Sequence, residues 1–157
     1  MITGIRSAII CDEVQREGDT ANYLGIWGDP LVPMTRPGVL SLWVALQVGL
    51  DEKAASGHMR IYTPDFDKSV PFDVPPGWRV ADMSAPFIIP VLSEGFLTVA
   101  VVDDRRPKSP YRVKWTLAFN PGAPALDEAE VRAAGLAGEA AAAELVAALA
   151  QRREPPH

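Results

Sequence analysis

Nucleophilic or zinc chemistry in this chain would have to be built from Cys11, His58 and His157, the single cysteine and the two histidines among 157 residues. A Cys–His or Ser–His nucleophile needs its base within hydrogen-bond reach. His157 is the last residue, which leaves His58. Ser56-Gly57-His58 lacks the strand–turn–helix setting that presents a nucleophilic serine at an elbow. Cys11 follows Ala8-Ile9-Ile10, and a thiol among aliphatic side chains is a small, inert hydrophobe. Three such ligands are too few for a zinc centre. The expectation is a chain with no catalytic residue, no cofactor and no metal ligand.

Calcium needs a separate test, because oxygen-rich loops hold it in some β-sandwiches. Asp65-Phe66-Asp67 and Asp103-Asp104 are the candidates, with Asp19, Asp51 and Glu52 as further carboxylates. If eight antiparallel strands alternate, the first pair lies in the loop between strands four and five and the second between seven and eight, at opposite poles. Arg105 and Arg106 directly follow the second pair and repel a cation. Asp19, Asp51, Glu52 and Asp103 share a pole in the same scheme, where solvated loop carboxylates are the simpler account.

Positive charge is more concentrated. Arg105, Arg106, Lys108, Arg112 and Lys114 fall within ten residues, a candidate patch for an anion or a docking partner. The plainer account is a hairpin tip and a strand whose lysines and arginines prevent edge pairing. A net charge of −5 argues against general affinity for nucleic acid or an anionic membrane. Of the four tryptophans, which could form a carbohydrate platform, Trp115 is in phase with core positions of its strand. Trp43 is in the opposite phase and is the candidate contact residue.

The elements that must position these groups are mostly strands. Leu40, Leu42, Val44, Leu46, Val48 and Leu50 alternate with Ser41, Trp43, Ala45, Gln47 and Gly49, which marks a long strand with one face in the core. Residues 5–13 and 22–27 read as a hairpin around Arg16-Glu17-Gly18-Asp19. Residues 58–62, 70–74, 85–92, 96–102 and 111–119 supply five more strands. Those holding Pro71, Pro86 and Pro90 belong at sheet edges, since proline has no N–H for a central ladder. After Pro121-Gly122 the chain becomes alanine-rich. Asp127 is an N-cap with Glu130 three residues on, and Leu126 with Val131 fits a hydrophobic staple. Val131, Gly135, Gly138, Ala142, Leu145 and Leu149 form one stripe, in which the glycines either allow a close backbone contact, the preferred reading, or mark a break into two pieces. Such a helix is expected to cover an outer sheet face at strands three and seven, or to meet its equivalent in a second chain.

These elements predict a mainly β protein: an antiparallel β-sandwich of about eight strands over residues 1–122, followed by a C-terminal α-helix and tail over 123–157. No apolar run is long enough to span a bilayer, no signal-peptide pattern opens the chain, and a lone cysteine suits a reducing compartment, so a cytoplasmic location is expected. The run Ala8-Ile9-Ile10-Cys11-Asp12, then Asn22-Tyr23-Leu24-Gly25-Ile26-Trp27, then Leu40-Ser41-Leu42-Trp43-Val44-Ala45-Leu46, resembles a bacterial family of short β-sandwich proteins known only as a domain of unknown function. The resemblance covers roughly residues 7–120. It implies the sandwich and a bacterial cytoplasm and transfers no activity. The functional expectation is a non-enzymatic interaction or assembly module, with a small-ligand or carbohydrate-binding sandwich as the alternative. Its candidate surface is Trp43, Arg105, Arg106, Lys108, Arg112, Leu145 and Leu149. A protein partner or a second copy would engage the C-terminal helix, with no role for nucleic acid or membrane.

Overall fold

The structure, a computed structural model, describes residues 1–18 and 20–138. Eight strands follow one another: β1 (Ile2–Glu17), β2 (Thr20–Ile26), β3 (Gly38–Leu50), β4 (Ala55–Thr63), β5 (Phe66–Val74), β6 (Val80–Val91), β7 (Gly95–Asp103) and β8 (Tyr111–Leu117). They form two four-stranded antiparallel sheets, ordered β2-β1-β3-β6 and β5-β4-β7-β8. The chain is a β-sandwich followed by a helix, as the alternation predicts.

Leu42, Val44, Leu46 and Val48 on β3 face Ile61 on β4, Leu97, Val99 and Val101 on β7, and Trp115 and Leu117 on β8 across the interior. The proline-bearing strands β5 and β6 are both sheet edges, where a missing N–H breaks no ladder between two neighbours. The two poles are also as expected. Thr63 pairs with Phe66 at one end of β4, while Gly57 pairs with Asp103 at the other.

Two elements lie over the outer face of the first sheet. β1 parts from β3 after Cys11 reaches Trp43, and its remaining residues pair with β2 alone. Arg16 Nη2 nevertheless donates to Ser84 Oγ on β6 at 3.3 Å. Ser84 is opposite Ala45, which is opposite Ile9. A straight strand would carry Arg16 about 23 Å beyond that level, seven residues at about 3.3 Å each. The β1–β2 hairpin is therefore an arm that curls back across the sheet. At its base the Trp27 indole N–H donates to Asp12 Oδ1 at 2.6 Å. Gly25, at φ 65°, makes room for this contact: a Cβ there would collide with the Asp12 carboxylate.

The second cover is the helix, α1, described over residues 128–138. Asp127 caps it, accepting the Ala129 N–H at 3.0 Å, and Arg132 pairs with Glu128 one turn back at 2.8 Å. Val131 is buried, but Leu126 is exposed, so the two do not close a staple. The glycines make the close contact that their spacing implied. A Cβ on Gly135 would lie 2.9 Å from Pro90 Cγ, and one on Gly138 would lie 2.5 Å from Ile88 Cγ2. These are outer-face residues of β6, so these turns of α1 dock in cis. The expected cover over β7 is corrected: β7 belongs to the other sheet, and Phe96 on its outer face is 54% exposed. Ala142, Leu145 and Leu149 lie outside the described residues. No helix among the described residues is long and apolar enough to cross a membrane.

Candidate functional site

The outer face of the second sheet carries a different pattern. β4 alternates Met59 and Ile61 inward with His58, Arg60 and Tyr62 outward. Register sets Arg60 directly opposite Ala100 on β7, and Ala100 opposite Arg112 on β8. His58 is likewise opposite Val102. A small residue between two long cationic neighbours makes a trough, with Ala100 and Val102 as its floor.

One end of the trough is built by the turn between β7 and β8. Asp103 anchors it: its buried carboxylate accepts the Ile2 N–H at 2.9 Å and the Arg105 N–H at 2.9 Å. The Arg106 and Ser109 N–H groups bond back to the Asp103 and Arg106 carbonyls, at 2.8 and 3.1 Å. This fold of the turn brings Pro107, Lys108 and Pro110 to the sheet. The result is an open groove of about 460 Å³ lined by His58, Arg60, Tyr62, Ala100, Val102, Pro107, Lys108, Pro110 and Arg112.

The groove concentrates cations in a net-acidic chain. Arg60 forms a two-pronged pair with Asp67, at 2.9 and 2.6 Å, and stacks 4.4 Å from the Tyr62 ring centroid. The hydrogen bonds from Arg60 hold the Asp67 carboxyl below the usual carboxylate range, and the same bonds raise the guanidinium. His58 Nδ1 lies 4.0 Å from the Asp104 carboxylate. Lys108 and Arg112 have no ion-pair partner among the described residues. They are the groove's unspent positive charge.

The sequence candidates are distributed unevenly around this site. Lys108 and Arg112 line it; Arg105 and Arg106 share the turn but stay exposed outside the walls. Trp43 is half-buried on the other sheet, between Cys11 and Pro86 as cross-strand neighbours. Leu145 and Leu149 are outside the described residues. Cys11 faces outward from the first sheet and His58 from the second, so no Cys–His pair forms. Ser56 Oγ donates to Asp73 Oδ1 at 2.5 Å rather than to His58. Burial raises the Cys11 thiol, a hydrogen bond to the Glu13 carbonyl opposes that shift, and the Asp12 charge adds to it.

The calcium candidates are spoken for individually. Asp65 accepts the Leu92 N–H at 3.2 Å and the Ser93 hydroxyl at 3.1 Å, and Asp67 holds Arg60. Asp51 accepts the N-terminal ammonium, which lowers its carboxyl, and Glu52 pairs with Arg79. Asp19 lies outside the described residues. No group of three metal-binding side chains converges among the described residues. A second cleft, about 310 Å³, lies where α1 meets the β4–β5 turn, between Phe66, Asp67, Pro90, Arg132, Gly135 and Leu136.

No protein-family model matches the chain, and no curated protein does. Arg60 is a groove residue that sequence reading missed, and His58 was weighed there only as a catalytic base. Their signal was present in the alternation of 56–62, but linking them to Arg112 needs the β4–β7–β8 register.

Proposed function

We propose that this protein is a non-enzymatic interaction module that docks an acidic, partly apolar segment of a protein partner in the groove across β4, β7 and β8. The observation that carries this reading is the cross-strand row Arg60–Ala100–Arg112, with Lys108 above it and Arg112 and Lys108 free of ion-pair partners among the described residues. Cations facing solvent over an apolar floor attract carboxylates and then reward burial of the side chains between them. The setting in this reading is the bacterial cytoplasm, with no cofactor, catalytic step or nucleic acid involved.

The test is fluorescence anisotropy with a labelled peptide of alternating glutamate and leucine at low salt. Binding should weaken steeply with added salt, and Lys108→Glu with Arg112→Glu should weaken it at least tenfold, the loss expected for two close charge reversals. Equal binding by wild type and the double variant would refute the assignment.

A further inference from the structure

The curled arm presents a surface that matches this groove. On one side of the β1–β2 hairpin Glu13 is opposite Leu24, with Ile26 and Glu17 on the same face, while Cys11, the cross-strand neighbour of Ile26, is buried where the arm leaves the sheet. Leu24 and Ile26 are 42% and 64% exposed, and Glu13 and Glu17 are exposed too. The opposite side of the arm turns inward, where Val14, Ala21 and Tyr23 are half-buried. This small hairpin thus shows solvent two aliphatic side chains flanked by two carboxylates, and β2 has β1 as its only strand neighbour.

We propose that the acidic segment is the arm of a second copy of this chain, seated in the groove. The proposal rests on the reading above that the groove takes an acidic, partly apolar strand. Spacing agrees with it. Glu13 and Glu17, four residues apart on a strand, are separated by about 13 Å, and the strands that flank the groove, β4 and β8, lie about 10 Å apart on either side of β7, with Lys108 and Arg112 as the groove's unpaired cations among the described residues. Long arginine and lysine stems accommodate the difference. Leu24 and Ile26 would then pack on the aliphatic stems that cover Ala100 and Val102. Placement decides the symmetry. The arm lies over the outer face of the first sheet and the groove on the outer face of the second, so no copy fills its own groove. Each copy offers one surface and accepts the other, a head-to-tail contact that propagates rather than closing as a two-fold dimer.

Sedimentation velocity on the full chain at low salt tests this. The weight-average mass should rise with concentration past that of a dimer and return to a monomer at high salt. Lys108→Glu/Arg112→Glu should abolish association, as should Glu13→Lys/Glu17→Lys. An equimolar mixture of the two variants should associate again, because the intact arm meets the intact groove and the reversed arm meets the reversed groove. A wild-type monomer at every concentration overturns the proposal, and so does association indifferent to both sets of reversals. The glutamate–leucine peptide separates this failure from that of the underlying reading. If Glu13→Lys/Glu17→Lys, whose groove is intact, binds the peptide while wild type stays monomeric, only the self-docking is wrong. If that variant does not bind it, the groove assignment fails as well.

Discussion

Ala45 and Ala100 occupy equivalent places in the two sheets and reach the same burial by different means. Each is a small outward-facing residue on an inner strand, Ala45 4% and Ala100 2% exposed. Above the first sheet the arm crosses to Ser84, the cross-strand neighbour of Ala45, and α1 lies on Ile88 and Pro90. Above the second sheet, the long side chains of Arg60 and Arg112 shelter Ala100. One outer face is roofed by other backbone elements and the other walled by long cationic side chains. Low exposure of a small residue therefore does not distinguish a face covered by other elements from one sheltered only by its neighbours' side chains. The identity of its cross-strand neighbours does.

The largest effect should come from the core that both faces share. Leu46→Ala removes a fully buried side chain of β3 and should lower unfolding stability by about 2–5 kcal/mol in chemical denaturation. A loss of under about 0.5 kcal/mol would mean that β3 presents its other face to the interior. The two alanines come next. Ala45→Leu forces volume under the arm and should cost about 1–3 kcal/mol. Ala100→Leu should cost less than about 1 kcal/mol, because its neighbours are long and can move, yet it should abolish peptide binding by filling the floor. Equal penalties for the two substitutions would erase the distinction between roof and walls.

Gly138→Ala weighs two opposed effects at the helix. Intrinsic propensity favours alanine by about 1 kcal/mol, while docking on Ile88 leaves no room for its methyl. Net destabilisation is expected, and a gain in melting temperature would mean that α1 does not rest on β6. The smallest effect concerns Asp67. Its carboxyl is depressed by Arg60, so the pair contributes above the ordinary carboxylate pKa and is lost as pH falls through the depressed value. Both side chains are substantially exposed, and screening limits the contribution to about 0.5 kcal/mol. The stability gap between wild type and Asp67→Asn should thus be small at neutral pH and vanish in acid. A gap that widens in acid would contradict this sign.

Much of the architecture was legible from local pattern. The alternation of 40–50, the prolines at 71, 86 and 90 and the Asp127 cap depend on near neighbours, and each marks the element found there. The site was legible only in part. Lys108 and Arg112 stand out as a basic run, but Arg60 is 52 residues from Arg112 and joins it only through β7. The curl of the arm was hidden for the same reason. Residues 5–13 read as a strand and Arg16-Glu17-Gly18-Asp19 as its turn, and the contact that reveals the bend is 68 residues from Arg16, at Ser84. Trp43 was correctly assigned to an outward phase; which outer face carries the cations follows from pairing between distant strands.

The most direct test is an amide chemical-shift titration of the full chain with the glutamate–leucine peptide, run on the Glu13→Lys/Glu17→Lys variant, whose groove is intact. Perturbations should concentrate at His58, Arg60, Ala100, Val102, Lys108 and Arg112, leaving Trp43, Ser84 and Ile88 unmoved. Shifts centred on the first sheet, or none at saturating peptide, would contradict the assignment of the open face as the binding face.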